Sequence, residues 1–377
     1  MKKIIFLSGT RADWGKIKPL IQKIKESKNL QYKIFACGMH LLELYGSTYM
    51  EIYKDGFDQV FLAKPYQAQE RMDLALSECI AQFSAFIQDE RPDMIVVHGD
   101  RLEALAGAIV GAFNNILVAH IEGGEVSGTI DESIRHSISK LAHLHFVANQ
   151  KASSRLVQLG EKQDHIFVIG SPDLDVMNSS ALPSLTEVCE HYHQIKAFDG
   201  EYAIFAYHPT TTEHKDLPSK LTQIFQALKE SNQNFIIIYP NNDLGSDLII
   251  KQIQTLENNA RFAIFKSIKF ESFLTLLKNA QFILGNSSAG VREAPFFGIP
   301  CINLGSRQNG RYEENPSILS CTENKNEILK AINTIPTLKS VRKEEFGDGK
   351  SAERFIQILR DSQVWDLPLQ KNFVDVL

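Results

Sequence analysis

Three carboxylates stand in short polar strings that can do proton chemistry. They are Asp100 in His98-Gly99-Asp100-Arg101, Glu122 in His120-Ile121-Glu122-Gly123-Gly124, and Asp131 in Thr129-Ile130-Asp131-Glu132. The first two strings follow apolar runs that read as strands, and side chains just past strand C-termini face the ligand crevice of an open α/β sheet. Carboxylates that converge on one crevice suit acid–base work, because neighbouring like charges push at least one pKa towards neutrality. His98 and His120 stand two residues before Asp100 and Glu122. Period-two spacing puts each histidine on the face of its own carboxylate, so two hydrogen-bonded His–carboxylate pairs are expected. No HExxH or similar spacing occurs, so these residues do not read as a metal site. Arg135, one turn past Asp131, reads either as that acid's charge partner or as a surface ion pair.

The elements that must position these groups alternate regularly. Apolar runs at Lys3–Leu7, Tyr32–Ala36, Met94–Val97, Ile116–Ala119, His145–Ala148 and Ile166–Ile169 predict buried strands. Amphipathic stretches at 16–26, 102–113, 133–141 and 152–159 predict helices between them. Such alternation implies a parallel, doubly wound sheet. The pattern pauses over 172–200 and restarts with strands expected at 202–206, 235–239, 263–265, 282–284 and 301–304, and helices at 219–229, 247–256 and 270–277. Two Rossmann-like domains follow, residues 1–172 and 173–351, with a C-terminal helical segment, 352–377, packing back on the first.

Strand ends supply further candidates. Ser8-Gly9-Thr10-Arg11 turns from the first strand towards a helix N-terminus, where free N–H groups favour anions, and Arg11 and Lys16 add positive charge. The plain alternative is a βα turn with solvated charges. In the second domain, Gly285-Asn286-Ser287-Ser288 would open a helix with N–H and O–H donors for a phosphate, and Glu293 could accept both hydroxyls of a ribose. Ordinary N-capping uses the same donors. His208, held out of a helix by Pro209, sits at a strand end, as do Asn241, Asp243 and Arg307.

Composition narrows the class. The 377 residues are 44% hydrophobic and 23% charged, with a net charge of −5. That balance suits sizeable cores and gives no global attraction to nucleic acid or membrane. The basic, apolar N-terminus is too short for a signal peptide, since Arg11 and Asp13 follow at once, and no run reaches the ~18 apolar residues of a membrane helix. Five scattered cysteines without CxxC spacing suggest free thiols and a cytoplasmic setting.

Together, Gly9-Thr10-Arg11-Ala12-Asp13, His98 to Arg101, His120 to Glu125, Asp131 to His136 and Gly285 to Ala294 resemble the UDP-N-acetylglucosamine 2-epimerase family over nearly the whole chain. The resemblance implies a glycosyltransferase-B fold with the active site in the interdomain cleft. The run His120-Ile121-Glu122-Gly123-Gly124-Glu125-Val126-Ser127-Gly128-Thr129 is closer to the hydrolysing branch, which serves bacterial sialic acid synthesis. Gly305-Ser306-Arg307-Gln308 also resembles that branch, with Ser306 where relatives often carry Thr. By this resemblance, Asp100, Glu122 and Asp131 carry acid–base work. Arg11, Lys16, Arg101, His208, Asn241, Ser287, Ser288, Glu293 and Arg307 bind the UDP-sugar, and His40 approaches the sugar. The implied partners are a UDP-sugar substrate and UDP product, with no cofactor and no metal, in a homodimer or higher homo-oligomer. A UDP- or GDP-linked 2,4-diacetamido-trideoxy sugar is the rival substrate. A glycosyltransferase or a nucleotide-sugar-binding regulator are the rival functions.

Overall fold

The strands run where β-branched and aromatic residues cluster, and most end at a glycine or a polar turn. The computed structural model describes residues 1–66, 71–180, 182–198, 201–312, 314–338 and 340–375; the last two residues of the expected 352–377 segment lie outside them. The chain forms two compact units. The first comprises Met1–Glu125, Ile130–Ser180 and the C-terminal segment from Glu345; the second comprises Val126–Thr129 and Ala181–Glu344.

In the first unit seven parallel strands run β1 (Lys2–Ser8), β2 (Leu30–Ala36), β3 (Val60–Leu62), β4 (Met94–His98), β5 (Leu117–Ile121), β6 (Leu144–Val147) and β7 (Ile166–Val168), in the order β3-β2-β1-β4-β5-β6-β7. The helices are α1 (Arg11–Lys25), α2 (Tyr49–Lys54), α3 (Met72–Glu90), α4 (Leu102–Phe113), α5 (Ile130–Leu141), α6 (Gln150–Gln158) and α7 (Pro172–Met177). β4 and β5 are buried along their whole length, as a parallel sheet covered on both faces requires. Alternate β1 side chains feed two cores: Ile4 and Phe6 pack with Trp14 and Phe355, and Ile5 and Leu7 with Phe35 and Phe83. Strand order reverses between β1 and β4, and ligands bind outside the strand ends at such a switch point.

The second unit repeats the plan with six parallel strands: β8 (Ala203–Ala206), β9 (Phe235–Ile238), β10 (Phe262–Phe265), β11 (Ile283–Gly285), β12 (Cys301–Leu304) and β13 (Ile318–Cys321), ordered β10-β9-β8-β11-β12-β13. Its switch point lies between β8 and β11. Its helices are α8 (Leu185–His191), α9 (Leu217–Glu230), α10 (Ser246–Gln254), α11 (Phe270–Lys278), α12 (Glu293–Phe297) and α13 (Lys325–Thr334). The last helix, α14 (Ser351–Leu359), belongs to the first unit, where Phe355 meets Phe146 edge-on at 4.8 Å and Phe6 at 6.4 Å. Truncating so buried an aromatic to alanine costs about 3–5 kcal/mol.

Several elements are absent from the sequence reading, among them helices α2, α7, α8 and α13. β3 and β13, edge strands of three and four residues, are absent from it too. The nineteen-residue α3 is absent from the sequence reading, although Ala75, Cys79, Phe83, Phe86 and Ile87 carry helical spacing and are all buried. Among the described residues, no helix is long and apolar enough to cross a membrane.

Candidate active site

At the first unit's switch point, β1 ends at Ser8, and Thr10 caps α1 by accepting the Asp13 N–H at 3.1 Å, a bond worth about 1 kcal/mol. That cap places Asp13 in the first helical turn, beside the end of β4. His98 closes β4, with Nδ1 3.2 Å from Asp13 Oδ1 and Nε2 3.1 Å from Glu122 Oε2. Carboxylate oxygens accept, so both ring nitrogens donate and the ring is an imidazolium. Burial opposes that charge, but the bonds and charges of Asp13 and Glu122 outweigh it and raise the His98 pKa to about 9. Burial likewise works to raise Asp13, and the His98 bond and charge overcome it, holding the carboxyl below its usual range. Glu122 accepts a further bond from Ser171 Oγ. Lys16 Nζ lies 3.7 Å from Glu122 and 3.1 Å from Asp173. The sequence candidates Glu122 and Lys16 are thus brought together.

The expected His–carboxylate pairs are not the ones formed. His98 bonds Glu122 instead of Asp100. His120 bonds the Gly99 carbonyl at 2.8 Å and Ser139 Oγ at 3.0 Å instead of Glu122. Each histidine therefore braces the other string. The reason is backbone geometry: Gly99 has φ +73° and Glu122 φ +64°, so strand alternation stops before either carboxylate. A left-handed conformation costs a non-glycine residue about 1–2 kcal/mol, which makes Glu122 an outlier of the kind found at functional sites. A Cβ on Gly123 would stand 2.8 Å from His120 Nδ1, so glycine is required for this ring to fit. Burial drives His120 down to about 3. It is neutral, with its proton on Nε2, because a carbonyl can only accept.

Arg135 is buried, not a surface residue. Its guanidinium pairs with Asp100 and donates to the Glu125 carbonyl at 3.1 Å. Asp131 sits half-buried in the first turn of α5, the helix that also supplies Arg135 and Ser139. Arg101 precedes α4, with Nε 3.5 Å from Glu103 Oε2. Glu103 itself fills the space left by Gly9 and Gly38, either of whose Cβ atoms would collide with it. Arg11 opens α1 and, after burial and Asp13, is the next charge acting on His40. The His40 ring is fully buried between Ser8 Oγ at 2.9 Å and Thr48 Oγ1 at 2.8 Å. Burial pushes its pKa to about 4. With both nitrogens engaged by protein hydroxyls, His40 braces the β1 end and the turn beyond β2.

The second unit's switch point is tied by an amide, an imidazole and one guanidinium. Asn286, after β11, accepts the His208 N–H at 2.7 Å and donates to the His208 carbonyl at 2.8 Å. The Asn241 N–H donates to His208 Nδ1 at 3.1 Å. Arg307 Nη1 and Gln308 Nε2 converge on the Asn286 carbonyl at 3.3 and 2.7 Å. His208, Asn241 and Arg307 are therefore one network, adjoining Ser287 and Ser288. The α-helix expected to open at Ser287 does not start there. Ser287 caps a single 3₁₀ turn, Ser288–Gly290, and the α-helix starts only at Glu293. A continuous helix would place Pro295 in its interior, against the Val291 carbonyl; starting at Glu293 keeps the proline in the first turn, where its missing N–H is harmless. Glu293 is buried at that start. Nearby, the Gly128 N–H donates to the Arg307 carbonyl at 3.2 Å, and a Cβ on Gly128 would stand 2.4 Å from the Ser306 carbonyl oxygen. Among the described residues, no group of three or more His, Cys, Asp or Glu is arranged to hold a metal ion.

A family model described as UDP-N-acetylglucosamine 2-epimerase matches residues 22–360. The chain belongs to the UDP-N-acetylglucosamine 2-epimerase family. It is 46% identical to the UDP-N-acetylglucosamine 2-epimerase of Neisseria meningitidis serogroup B, over 100% of both chains. It is 34% identical to the UDP-N,N'-diacetylbacillosamine 2-epimerase (hydrolyzing) of Legionella pneumophila, over 96% of each. Its glycosyltransferase-B-like fold matches a crystal structure of another Neisseria meningitidis protein, a UDP-GlcNAc 2-epimerase bound to UDP-GlcNAc, with TM-score 0.77 and 18% identity over 95% of this chain and 99% of that one. As a family member, this chain has its strand-end groups at the two switch points, where the doubly wound fold puts ligands.

Sequence reasoning gave no role to Asp13, Ser171, Asp173, Asn286 or Gln308. Asp13 and Asn286 lay inside quoted motifs, and the signal available for each was a polar residue just past a strand. Ser171 shares that signal, standing just past β7, but nothing in it names Glu122 as the partner; Asp173 had none, since it reaches Lys16 only through the packing of α7 on α1.

Proposed function

We propose that the chain is a hydrolysing UDP-N-acetylglucosamine 2-epimerase that converts UDP-N-acetylglucosamine and water to N-acetylmannosamine and UDP for sialic acid synthesis. The observation that carries this is the full-length 46% identity to the Neisseria UDP-N-acetylglucosamine 2-epimerase; the hydrolysing outcome draws on the Legionella relative's description. In the first step a carboxylate takes the C2 proton while the C1–O bond breaks and its electron pair leaves with UDP, giving a glycal. In the second step a proton reaches C2 from the opposite face and water supplies hydroxide to C1.

Asp100 and Glu122 are assigned to proton transfer and Asp131 to positioning or activating water. In the chain Asp13–His98–Glu122 the proton sits on the imidazole, which leaves Glu122 as an acceptor, the state a base needs. Arg11, Arg307 and the Ser287–Ser288 donors are assigned to the charge that grows on the β-phosphate, and Lys16, Arg101, His208, Asn241 and Glu293 to holding the UDP-sugar. A UDP- or GDP-linked diacetamido sugar remains the second reading, its UDP-linked form favoured by the Legionella relative.

Turnover of UDP-N-acetylglucosamine in D₂O, followed by NMR, tests the reaction. Free N-acetylmannosamine deuterated at C2, with UDP, is expected. UDP-N-acetylmannosamine as the end product overturns the hydrolysing assignment, and faster turnover of the diacetamido sugar overturns the substrate.

A further inference from the structure

The β8–β11 ladder ends at the pair Gly285 and Ala206, yet its hydrogen bonding continues. The Asn286 backbone N–H donates to the Ala206 carbonyl at 3.2 Å. Its side-chain amide then meets both backbone polar groups of His208, accepting its N–H and donating to its carbonyl. An asparagine side chain here replaces the peptide group that the next residue of a strand would have offered. Pro209 follows His208 and brings no N–H of its own, so this amide holds the backbone turn in place. With the backbone held and Nδ1 filled by the Asn241 N–H, the neutral His208 ring carries its proton on Nε2. The Asn286 carbonyl meanwhile gathers Arg307 and Gln308. Asn286 is 1% exposed, and its side-chain oxygen and nitrogen each bond the His208 backbone.

We infer that Asn286 is a positioning residue for nucleotide diphosphate binding: it fixes the aim of His208 Nε2–H and, through its carbonyl, the placement of Arg307. This inference rests on the proposed UDP-sugar function. Only Asn among the small residues supplies a donor and an acceptor on one planar amide of this reach. Aspartate keeps the acceptor for the His208 N–H but turns a second oxygen on the His208 carbonyl.

The test is calorimetric titration of UDP into the wild-type protein and the variants Asn286→Ala, Asn286→Asp, His208→Ala and Asn286→Ala/His208→Ala, with kcat and KM on the same samples. UDP affinity is expected to fall at least tenfold in both Asn286 variants, with KM rising and kcat changing much less. The double variant is expected to bind worse than His208→Ala alone by less than the full Asn286→Ala effect, because the part of that effect that acts through His208 is already gone and only the Arg307 part remains. Should Asn286→Ala fail to fold, Asn286→Asp, which keeps the volume and one bond, carries the test. Unchanged UDP affinity in a folded Asn286 variant overturns the inference, as does an additive double variant. Absence of UDP binding by the wild-type protein overturns the functional reading itself.

Discussion

The two units solve the same topological problem with opposite chemistry. Each has a doubly wound sheet, and each ties the strand ends at its switch point with hydrogen bonds from a side chain. Between β1 and β4 the tie is ionic: His98 bonds Asp13 and Glu122, with Lys16 and Asp173 beside them. Between β8 and β11 the tie is neutral: the Asn286 amide pairs with the His208 backbone. Buried charges are costly and shift pKa values, so they belong where protons must move. An amide clamp changes no charge and suits a surface whose task is to hold a ligand still. The contrast fits the proposed division of labour, in which carboxylates of the first unit do the proton chemistry and groups of the second, with Arg11 and Lys16, hold the nucleotide.

The largest effect that could break this division is on rate. Glu122→Gln is expected to lower kcat by about 10²- to 10⁴-fold while UDP affinity, measured by calorimetry, stays at the wild-type value. Full activity in that variant would remove Glu122 from the chemistry and dissolve the contrast. Next in size is stability. His98→Leu strips the cation from between buried Glu122 and half-buried Asp13, and breaking a buried pair from one side costs about 3–5 kcal/mol; denaturant unfolding reads it directly. A loss below 1 kcal/mol would mean that the ionic tie is incidental.

Smaller effects sharpen the steric side of the comparison. At Gly285 φ is +140° and a Cβ would lie 2.0 Å from the Ala206 carbonyl oxygen; at Gly99 φ is +73° with nothing within 4 Å. Gly285→Ala is expected to cost about 1–3 kcal/mol from backbone strain plus the displacement of β8, whereas Gly99→Ala should cost only about 1–2 kcal/mol. Equal losses on denaturant unfolding would show that the two switch points are equally tight.

The last effect is on pH dependence, and its sign follows from the direction of each shift. The His98 pKa is raised from 6.5 to about 9, so the native state binds more protons between those values. Its contribution to stability is full below about pH 6.5 and is lost as pH rises through about 9. His120 and His40 are lowered to about 3 and 4, so their contributions are present above about pH 6.5 and are lost as pH falls towards those values. Unfolding free energies across this range should decline on the alkaline side in the wild-type protein, and that decline should shrink in His98→Leu. An unchanged alkaline limb would place the proton elsewhere.

Much of this molecule is legible from its residues alone. Runs such as Met94–His98 and Leu117–Ile121 are apolar throughout because both faces of a parallel sheet are covered, and the polar strings that follow them mark strand ends. Those strings, with Gly285 to Ala294, were enough to point to the family. Short edge strands such as Ile318–Cys321 escaped; there Ser320 breaks the apolar run. The helix expected from Ser287 was misplaced because capping residues announce a start without excluding a single turn; Pro295 decides where the α-helix can begin.

Side-chain partnership is where sequence stops. Local order set the strands, the turns and the kinds of groups at their ends, because backbone propensity and hydrophobic period act over a few residues. It could not say that His98 serves Glu122, that His120 serves Gly99, or that Arg135 serves Asp100. Those pairings depend on left-handed turns at Gly99 and Glu122 and on helices brought alongside by packing, as Ser171 is brought to Glu122 and Asn286 to His208. A hydrogen bond is made between groups within about 3 Å, and only the folded chain brings residues 13, 98, 122 and 171 within that distance of their partners.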